Sequence, residues 1–253
     1  MNLITLPCNQ YMKDVYHDTI YQLEKSHWWY RVRREMVHTL IQTYFLNKAP
    51  LRILDMGCGT GALLSELSPY GDAHGIDVSP RAVAFCRERG VEQVRVWSVT
   101  NIAYPDATFD LVVALDVIEH VSDDKKAIEE IKRVLKPGGI AILFVPAFMF
   151  LWGSTDVFSE HYRRYTRQEL RAKLTAANFL PIRFSYFNTF LFPPIALWRL
   201  LNRIIPLHSN SETELNNPLV NSLLYAVFRS ELSVLRFVNF PFGVSVLAVV
   251  RKT

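Results

Sequence analysis

Cysteine is scarce in this 253-residue chain: Cys8, Cys58 and Cys86 are the whole complement, too few and too scattered for a disulfide framework or a zinc site. A reducing, cytoplasmic setting is the expectation. Long apolar runs are missing as well. The longest uncharged apolar stretch, residues 185–198 (SYFNTFLFPPIALW), falls short of the roughly 20 residues of a membrane span and is broken by Pro193-Pro194. The first twenty residues carry Lys13, Asp14, His17 and Asp18 with no sustained apolar core, so no secretory leader is expected. The chain has no dense block of Lys and Arg and a net charge of only +4, which argues against nucleic acid as a partner. No G-K-[ST] occurs, which excludes the phosphate-binding P-loop. With no repeat or low-complexity tract, 50% hydrophobic and 21% charged residues describe one good-sized core, or one domain with an appended lobe.

From residue 51 onward, strand and helix signals alternate, which predicts an α/β domain around a parallel sheet. LRILDM (51–56), AHGID (73–77), VEQVRVW (91–97), FDLVVAL (109–115) and IAILFVP (140–146) read as the first five strands. PIRFSYF (181–187) and GVSVLAVVRK (243–252) read as two more. A helix starts at ALLSELS after the glycines. Ser79-Pro80 caps another that Gly90 closes, and Ser122 is expected to cap DDKKAIEEIKRVL before a turn at KPGG. Thr166 and Glu169 have capping-box spacing, and Asn217-Pro218 starts the second of two helices within 190–238. The first fifty residues look helical. Residues 28–45 (WWYRVRREMVHTLIQTYF) show an apolar face with basic residues opposite.

The glycine-rich stretch DMGCGTG (55–61) follows the first strand and fits two chemistries. Gly57, Gly59 and Ala62 satisfy a dinucleotide fingerprint, whereas Gly57, Gly59 and Gly61 give a tighter loop. A pyrophosphate cradled by the loop amides would be repelled by Asp55, two residues ahead of the first glycine. A ligand with a cationic end is suited by it. S-adenosylmethionine has an ammonium and a sulfonium group and no phosphate. Asp77, at the end of the second strand, stands where a carboxylate accepts hydrogen bonds from ribose hydroxyls, which both ligands offer.

Taken together, LRILDMGCGTG, HGIDVSP, YPDATFDLVVALDVIEHVSD and LKPGGIAILFVP, in that order, resemble the class I S-adenosylmethionine-dependent methyltransferases. The likeness covers roughly residues 50–180 and the closing strand. HWWYRVRR (27–34) and HYRRYTRQEL (161–170) are similar to a bacterial subgroup of type 11/12 methyltransferases. The resemblance implies a Rossmann-like α/β fold: a seven-stranded, mostly parallel sheet with its last strand antiparallel and helices on both faces. Around it are expected an N-terminal helical cap (1–49), a methyltransferase domain (50–189 and 239–253) and a helical insertion (190–238) before the last strand. It also implies that Asp55 and the backbone of Gly57, Cys58, Gly59 and Gly61 hold the methionine end, that Asp77 holds the ribose, and that Val78 beside it is a further cofactor-binding residue. Asp116 lines the methyl region. Relatives often have an acid against the adenine amino group where this chain has Ser98, a weaker partner; the Val99 amide remains available.

His120, in DVIEH, is read as packing beneath the cofactor loop, as a substrate-facing base or as a metal ligand, and no metal is assigned. Glu119, being adjacent to it, is expected to point elsewhere. His161 lies after the fifth strand, on the rim where acceptors bind, and is the second candidate base. The arginines of YRRYTR are read as an anion site or a solvated basic face. His27, Trp28, Trp29 and Tyr30 are expected as core aromatics of a helix folded over the pocket. In IALWRLLNRII, Arg199, Asn202 and Arg203 oppose an apolar face, which makes the insertion either a lid buried on the sheet domain or an interfacial helix against membrane or a lipid-linked substrate. The expected activity is methyl transfer to a small-molecule or lipid/glycan-linked acceptor, oxygen first, with S-adenosylhomocysteine as product. A peripheral position at the inner face of the membrane goes with the interfacial alternative. A catalytically inactive cofactor-binding scaffold and a nucleotide-dependent oxidoreductase are the alternatives.

Overall fold

The computed structural model describes residues 10–46, 50–204 and 217–253. Two helices come first, α1 (Gln10–Leu23) and α2 (Trp28–Tyr44). There follow β1 (Leu51–Met56), α3 (Ala62–Glu66), β2 (Gly71–Asp77), α4 (Pro80–Glu88), β3 (Val94–Val96) and β4 (Phe109–Leu115). The second half holds α5 (Asp124–Val134), β5 (Leu135–Pro146), α6 (Ser154–Phe158), α7 (Arg167–Ala176) and β6 (Phe179–Phe187). It closes with α8 (Phe192–Ile204), α9 (Pro218–Leu235) and β7 (Ser245–Lys252).

One seven-stranded sheet has the order β3-β2-β1-β4-β5-β7-β6. All neighbouring pairs are parallel except that β7 runs antiparallel to β5 and β6. Strands this apolar must be covered on both faces, and Ile53, Leu111, Val113, Ile142, Leu143, Val246 and Val249 are all fully buried. The strand order reverses between β1 and β4, which opens a crevice at their carboxyl ends, where ligands bind in this architecture. Asp55, Asp77 and Asp116 all stand at that edge.

The local signals act as their chemistry requires. The Ser79 side chain accepts from the Ala82 amide, and Asn217 accepts from Leu219 and Val220. Thr166 and Glu169 close a reciprocal capping box. Several expectations are revised. Asp123, not Ser122, caps α5, its carboxylate being placed to accept from Lys126. The helix after the glycine loop ends at Glu66, because Pro69 redirects the chain into a 3₁₀ turn over Ser68–Tyr70. The third strand shrinks to three residues at the sheet edge. The KPGG turn is absorbed within β5 as an irregularity between the pairs Phe109–Leu135 and Leu111–Ile140.

α2 and α9 are packed together around Phe228, which is fully buried and meets Trp28, Trp29 and Phe187 at ring-centroid distances of 5.7, 5.7 and 6.2 Å. The Trp28 amide donates to Asn221 Oδ1 at 2.8 Å, and Arg229 Nε reaches Glu35 Oε2 at 2.9 Å. The N-terminal helix and the helix before β7 therefore share one core cluster. Replacing Phe228 with Ala should open a cavity there and cost about 3–5 kcal/mol. Chemical denaturation of the F228A protein should read that loss directly, whereas a change below 1 kcal/mol would mean the two helices pack independently.

Candidate active site

The floor of the crevice is the loop after β1. The amides of Gly57 and Cys58 both donate to the Ile76 carbonyl, at 2.8 and 3.0 Å, which pins the loop to the end of β2. Gly57 and Gly61 have φ of +73° and +84°, and a Cβ on them would stand 2.6 Å from Val117 Cγ2 and 2.7 Å from Cys86 Sγ. Neither position tolerates a side chain, for space and for backbone conformation alike. Cys58 turns its thiol into the core, 3.9 Å from Cys86 Sγ. The contact with Cys86 and burial both raise its pKa, which disfavours a reactive thiolate.

Asp55 is 3% exposed. Burial first, then the charges of Asp77 and Glu24, push its carboxyl up to about 7. Asp77 accepts from the Gly59 amide through Oδ2 at 2.9 Å and from the Ser79 amide through Oδ1 at 2.8 Å. Each oxygen keeps lone-pair capacity for a further donor. Val78 beside it is 65% exposed on the rim. Ser98 is committed to a local turn, its Oγ lying 2.9 Å from Thr100 Oγ1, while the Val99 side chain is buried.

α1 lies against this loop, a contact the sequence reading did not contain. The Thr60 hydroxyl donates to Glu24, Arg89 Nη2 pairs with the same carboxylate at 2.5 Å, and Tyr21 stacks on Phe85 at 4.2 Å. Glu24 thereby becomes part of the site's electrostatics. Its only sequence signal is its position at the end of a helix over a pocket that only the fold reveals.

Asp116 has φ +54°, and its amide donates to the Phe144 carbonyl at 2.9 Å. Its carboxylate is ion-paired with Arg33 of α2. Arg33 is 4% exposed, between the rings of Trp29 and Phe144 at 4.8 and 5.2 Å. The expectation of basic residues on the outer face of this helix fails at Arg33, because the Asp116 charge and the aromatic faces draw the guanidinium inward.

His120 and His161 meet, with ring centroids 4.5 Å apart in an edge-to-face contact. The Tyr162 amide donates to the Glu119 carbonyl at 2.8 Å, so the loop after β5 is tied to the turn after β4. His161 Nδ1 lies 2.8 Å from Asp156 Oδ1. Asp156 is fully buried and also takes Arg164 Nε at 2.7 Å and the Gly153 amide at 2.8 Å. Burial opposes its charge, but the hydrogen bonds from His161 and Arg164 prevail and hold it well below the usual carboxylate range. His120 is exposed rather than packed under the cofactor loop. The protein mass beside it and then His161 lower its basicity. Glu119, expected to point away from His120, contributes one of three ligand-type atoms, with His120 and His161, that lie within 4.8 Å of one another. The tight 3₁₀ turn over Ile118–His120 and the returning loop bring them together.

Of the arginines of YRRYTR, Arg163 and Arg167 are half-buried, and only Arg164 departs fully from both readings. Arg164 is internal, bonded to Asp156 and the Ala147 carbonyl, and Arg163 pairs with Asp124 at 3.0 Å. α8 departs from the reading as a lid that buries its apolar face on the sheet domain. Arg199 is buried against Asp156 and the Leu151 carbonyl, while Leu197, Trp198, Leu200 and Leu201 are 40–59% exposed. The Arg203 side chain lies outside the described residues.

Comparison with known proteins places this geometry. Residues 54–143 match the model of a family described as "Methyltransferase domain". Norajmaline N-methyltransferase of Rauvolfia serpentina is 36% identical over 106 residues, 38% of this chain and 36% of that protein. Ubiquinone biosynthesis O-methyltransferase of Xanthomonas oryzae is 37% identical over 101 residues, 37% of this chain and 42% of that protein. The chain thus spans less than half the length of these curated relatives. Phosphoethanolamine N-methyltransferase 2 of Haemonchus contortus, solved with S-adenosyl-L-methionine, superposes with a TM-score of 0.61 at 19% identity. That superposition covers 97% of this chain and 58% of the other, and what it shows is a shared fold.

Asp55 makes the stability of the ligand-free protein pH-dependent. Its folded pKa of about 7 lies above the ordinary 3.8, so between about pH 4 and 7 the folded state holds a proton that the unfolded state has released. Stability should fall as pH rises through that window, by on the order of 4 kcal/mol from this group. Denaturant titrations at stepped pH should show the slope in the native protein and a flatter profile in D55N.

Proposed function

This chain carries a class I S-adenosylmethionine-dependent methyltransferase domain, and from that premise we propose that the protein transfers a methyl group to a small-molecule or lipid-linked acceptor, at oxygen. The observation that carries the reading is the acidic floor of the crevice. Asp55, Asp77 and Glu24 lie close enough for the latter two to raise the Asp55 pKa. Such a floor repels a pyrophosphate and favours an ammonium–sulfonium ligand.

The residues present fit the cofactor. The glycine cradle has no room for side chains at Gly57 and Gly61, so the backbone can approach the amino-acid moiety. Asp55 would face its cationic end, Asp77 its ribose hydroxyls, and the Val78 side chain and Val99 amide its adenine side. When bound, S-adenosylmethionine supplies an electrophilic methyl group and leaves as S-adenosylhomocysteine. The protein's part is to hold the acceptor in line with that methyl at near-attack distance, and to take the proton of an acceptor hydroxyl. His120 and His161 stand together beside Asp116 at the acceptor side, where a proton must be lost. Asp116 is already balanced by Arg33 and serves as a wall of the methyl region more than as an ammonium ligand.

The outward apolar face of α8, together with Leu219 and Leu223 of α9, exposed by 81% and 64%, supports a hydrophobic or lipid-linked acceptor. No helix among the described residues is long and apolar enough to cross a membrane, so contact through 190–238 would be peripheral.

S-adenosylmethionine binding, followed calorimetrically from pH 5.5 to 8.5, tests the cofactor reading. Affinity should rise by up to about tenfold per pH unit below 7, as Asp55 loses its proton, and level off above. D55N should bind weakly and without that slope, whereas pH-independent binding, or tighter binding of NADH, would overturn the reading. For the acceptor, methyl-labelled cofactor incubated with host extract should place label in the organic phase. Label confined to the aqueous phase would reduce the α8 face to a lid for a soluble metabolite.

A further inference from the structure

We propose that Glu119, His120 and His161 form a binding site for one divalent first-row transition-metal ion, zinc(II) in the first instance. Its place beside the methyl acceptor rests on the methyl-transfer reading; the site itself does not. Two separate observations carry it. The first is convergence: each of the three residues offers a ligand atom within 4.8 Å of the other two. Ligand atoms of a tetrahedral zinc site stand about 3.4 Å apart, so side-chain rotations that shorten these distances by an ångström or so bring the three into ligand spacing.

The second is the state of Glu119. Its side chain is fully buried, and neither carboxylate oxygen has a hydrogen-bond partner in another residue. A buried carboxyl group left bare is costly, and native structures rarely leave one without a partner. Asp116 nearby adds repulsion rather than relief. Arg33 is ion-paired with Asp116 and Arg164 with Asp156, and neither donates a hydrogen bond to Glu119, on which both act through their fields. A cation between Glu119 and the two imidazoles removes the imbalance.

The outer partners are in place as well. Asp156 holds His161 through Nδ1, which leaves Nε2 to face the cluster. A metal-ligating histidine is ordinarily held in this way, its second nitrogen donating to a carboxylate or a carbonyl. The backbone of Ser159 lies beside His120 and supports its charged form. Asp156 is itself fixed by Arg164 and Gly153, so the orientation of His161 is determined from behind. Two imidazoles and a carboxylate select zinc, iron(II), cobalt(II) or manganese(II) over magnesium or calcium, which prefer all-oxygen shells. Three protein ligands leave a coordination position open, and the exposure of His120 puts that position within reach of an acceptor oxygen. There the ion would lower the pKa of a bound hydroxyl, the task otherwise left to a histidine base.

The test is a titration of chelator-treated, full-length protein with Co²⁺, read by its visible absorption, followed by displacement with Zn²⁺. The native protein should take up one Co²⁺ per chain and release it to zinc, with a higher thermal midpoint when loaded. E119Q and H161A should each lose at least tenfold in Co²⁺ affinity. E119Q preserves side-chain shape and decides the matter should H161A fail to fold. Absence of saturable binding to the native protein, or native-like binding by E119Q, would overturn the proposal. S-adenosylmethionine binding measured on the same samples separates a failure of this site from a failure of the methyl-transfer reading.

Discussion

Negative charge gathered at the carboxyl ends of β1, β2 and β4 is the constraint to which the rest of the molecule responds. The parallel sheet puts Asp55, Asp77 and Asp116 on one edge, and the turn after β4 adds Glu119. Each must be answered by amides, by cations or by a ligand. Asp77 is answered by the amides of Gly59 and Ser79, Asp116 by Arg33, and Glu24, which leans in from α1, by Arg89 and Thr60. Among the described residues no ion pair answers Asp55 or Glu119. At these two carboxylates the proposed cofactor and the proposed metal ion would complete the charge balance.

The same requirement explains why arginines turn inward against their sequence pattern. Arg33, Arg164 and Arg199 are each under 10% exposed and each faces a carboxylate. Asp156 receives Arg164, Arg199 and His161 at once, and so links the loop after β5 to α8. Burying one guanidinium is costly, but burying it against a carboxylate and aromatic faces costs less, and the pair then resists rearrangement. The rim that carries His161 is thus anchored on one side by the turn at Glu119 and on the other by α8.

Turning Arg199 inward has a consequence at the surface. α8 cannot bury its polar face and its whole apolar face together, so leucines and Trp198 are left outside. An exposed apolar strip there is what the proposed hydrophobic acceptor would use. The matched region alone leaves the acceptor open, since relatives named for N- and O-methylation align to it about equally well.

What the residues settled unaided was local. The strands at 51–56 and 109–115, the caps at Ser79, Thr166 and Asn217, and the glycine loop follow from periodicity, side-chain reach over three residues, and the space a Cβ needs. Asp55 was legible as an acid ahead of the glycine loop because its place relative to the glycines is a matter of a few bonds. Tertiary structure alone decided which charges pair. Arg33 meets Asp116, and His161 meets His120, across long stretches of chain, and α1 reaches the glycine loop through Glu24. Adjacent residues such as Glu119 and His120 were read as diverging, and a tight turn with a loop folded over it made them converge. Local chemistry has a range of a few residues, whereas charge balance in a low-dielectric interior is settled only once distant segments share the same space.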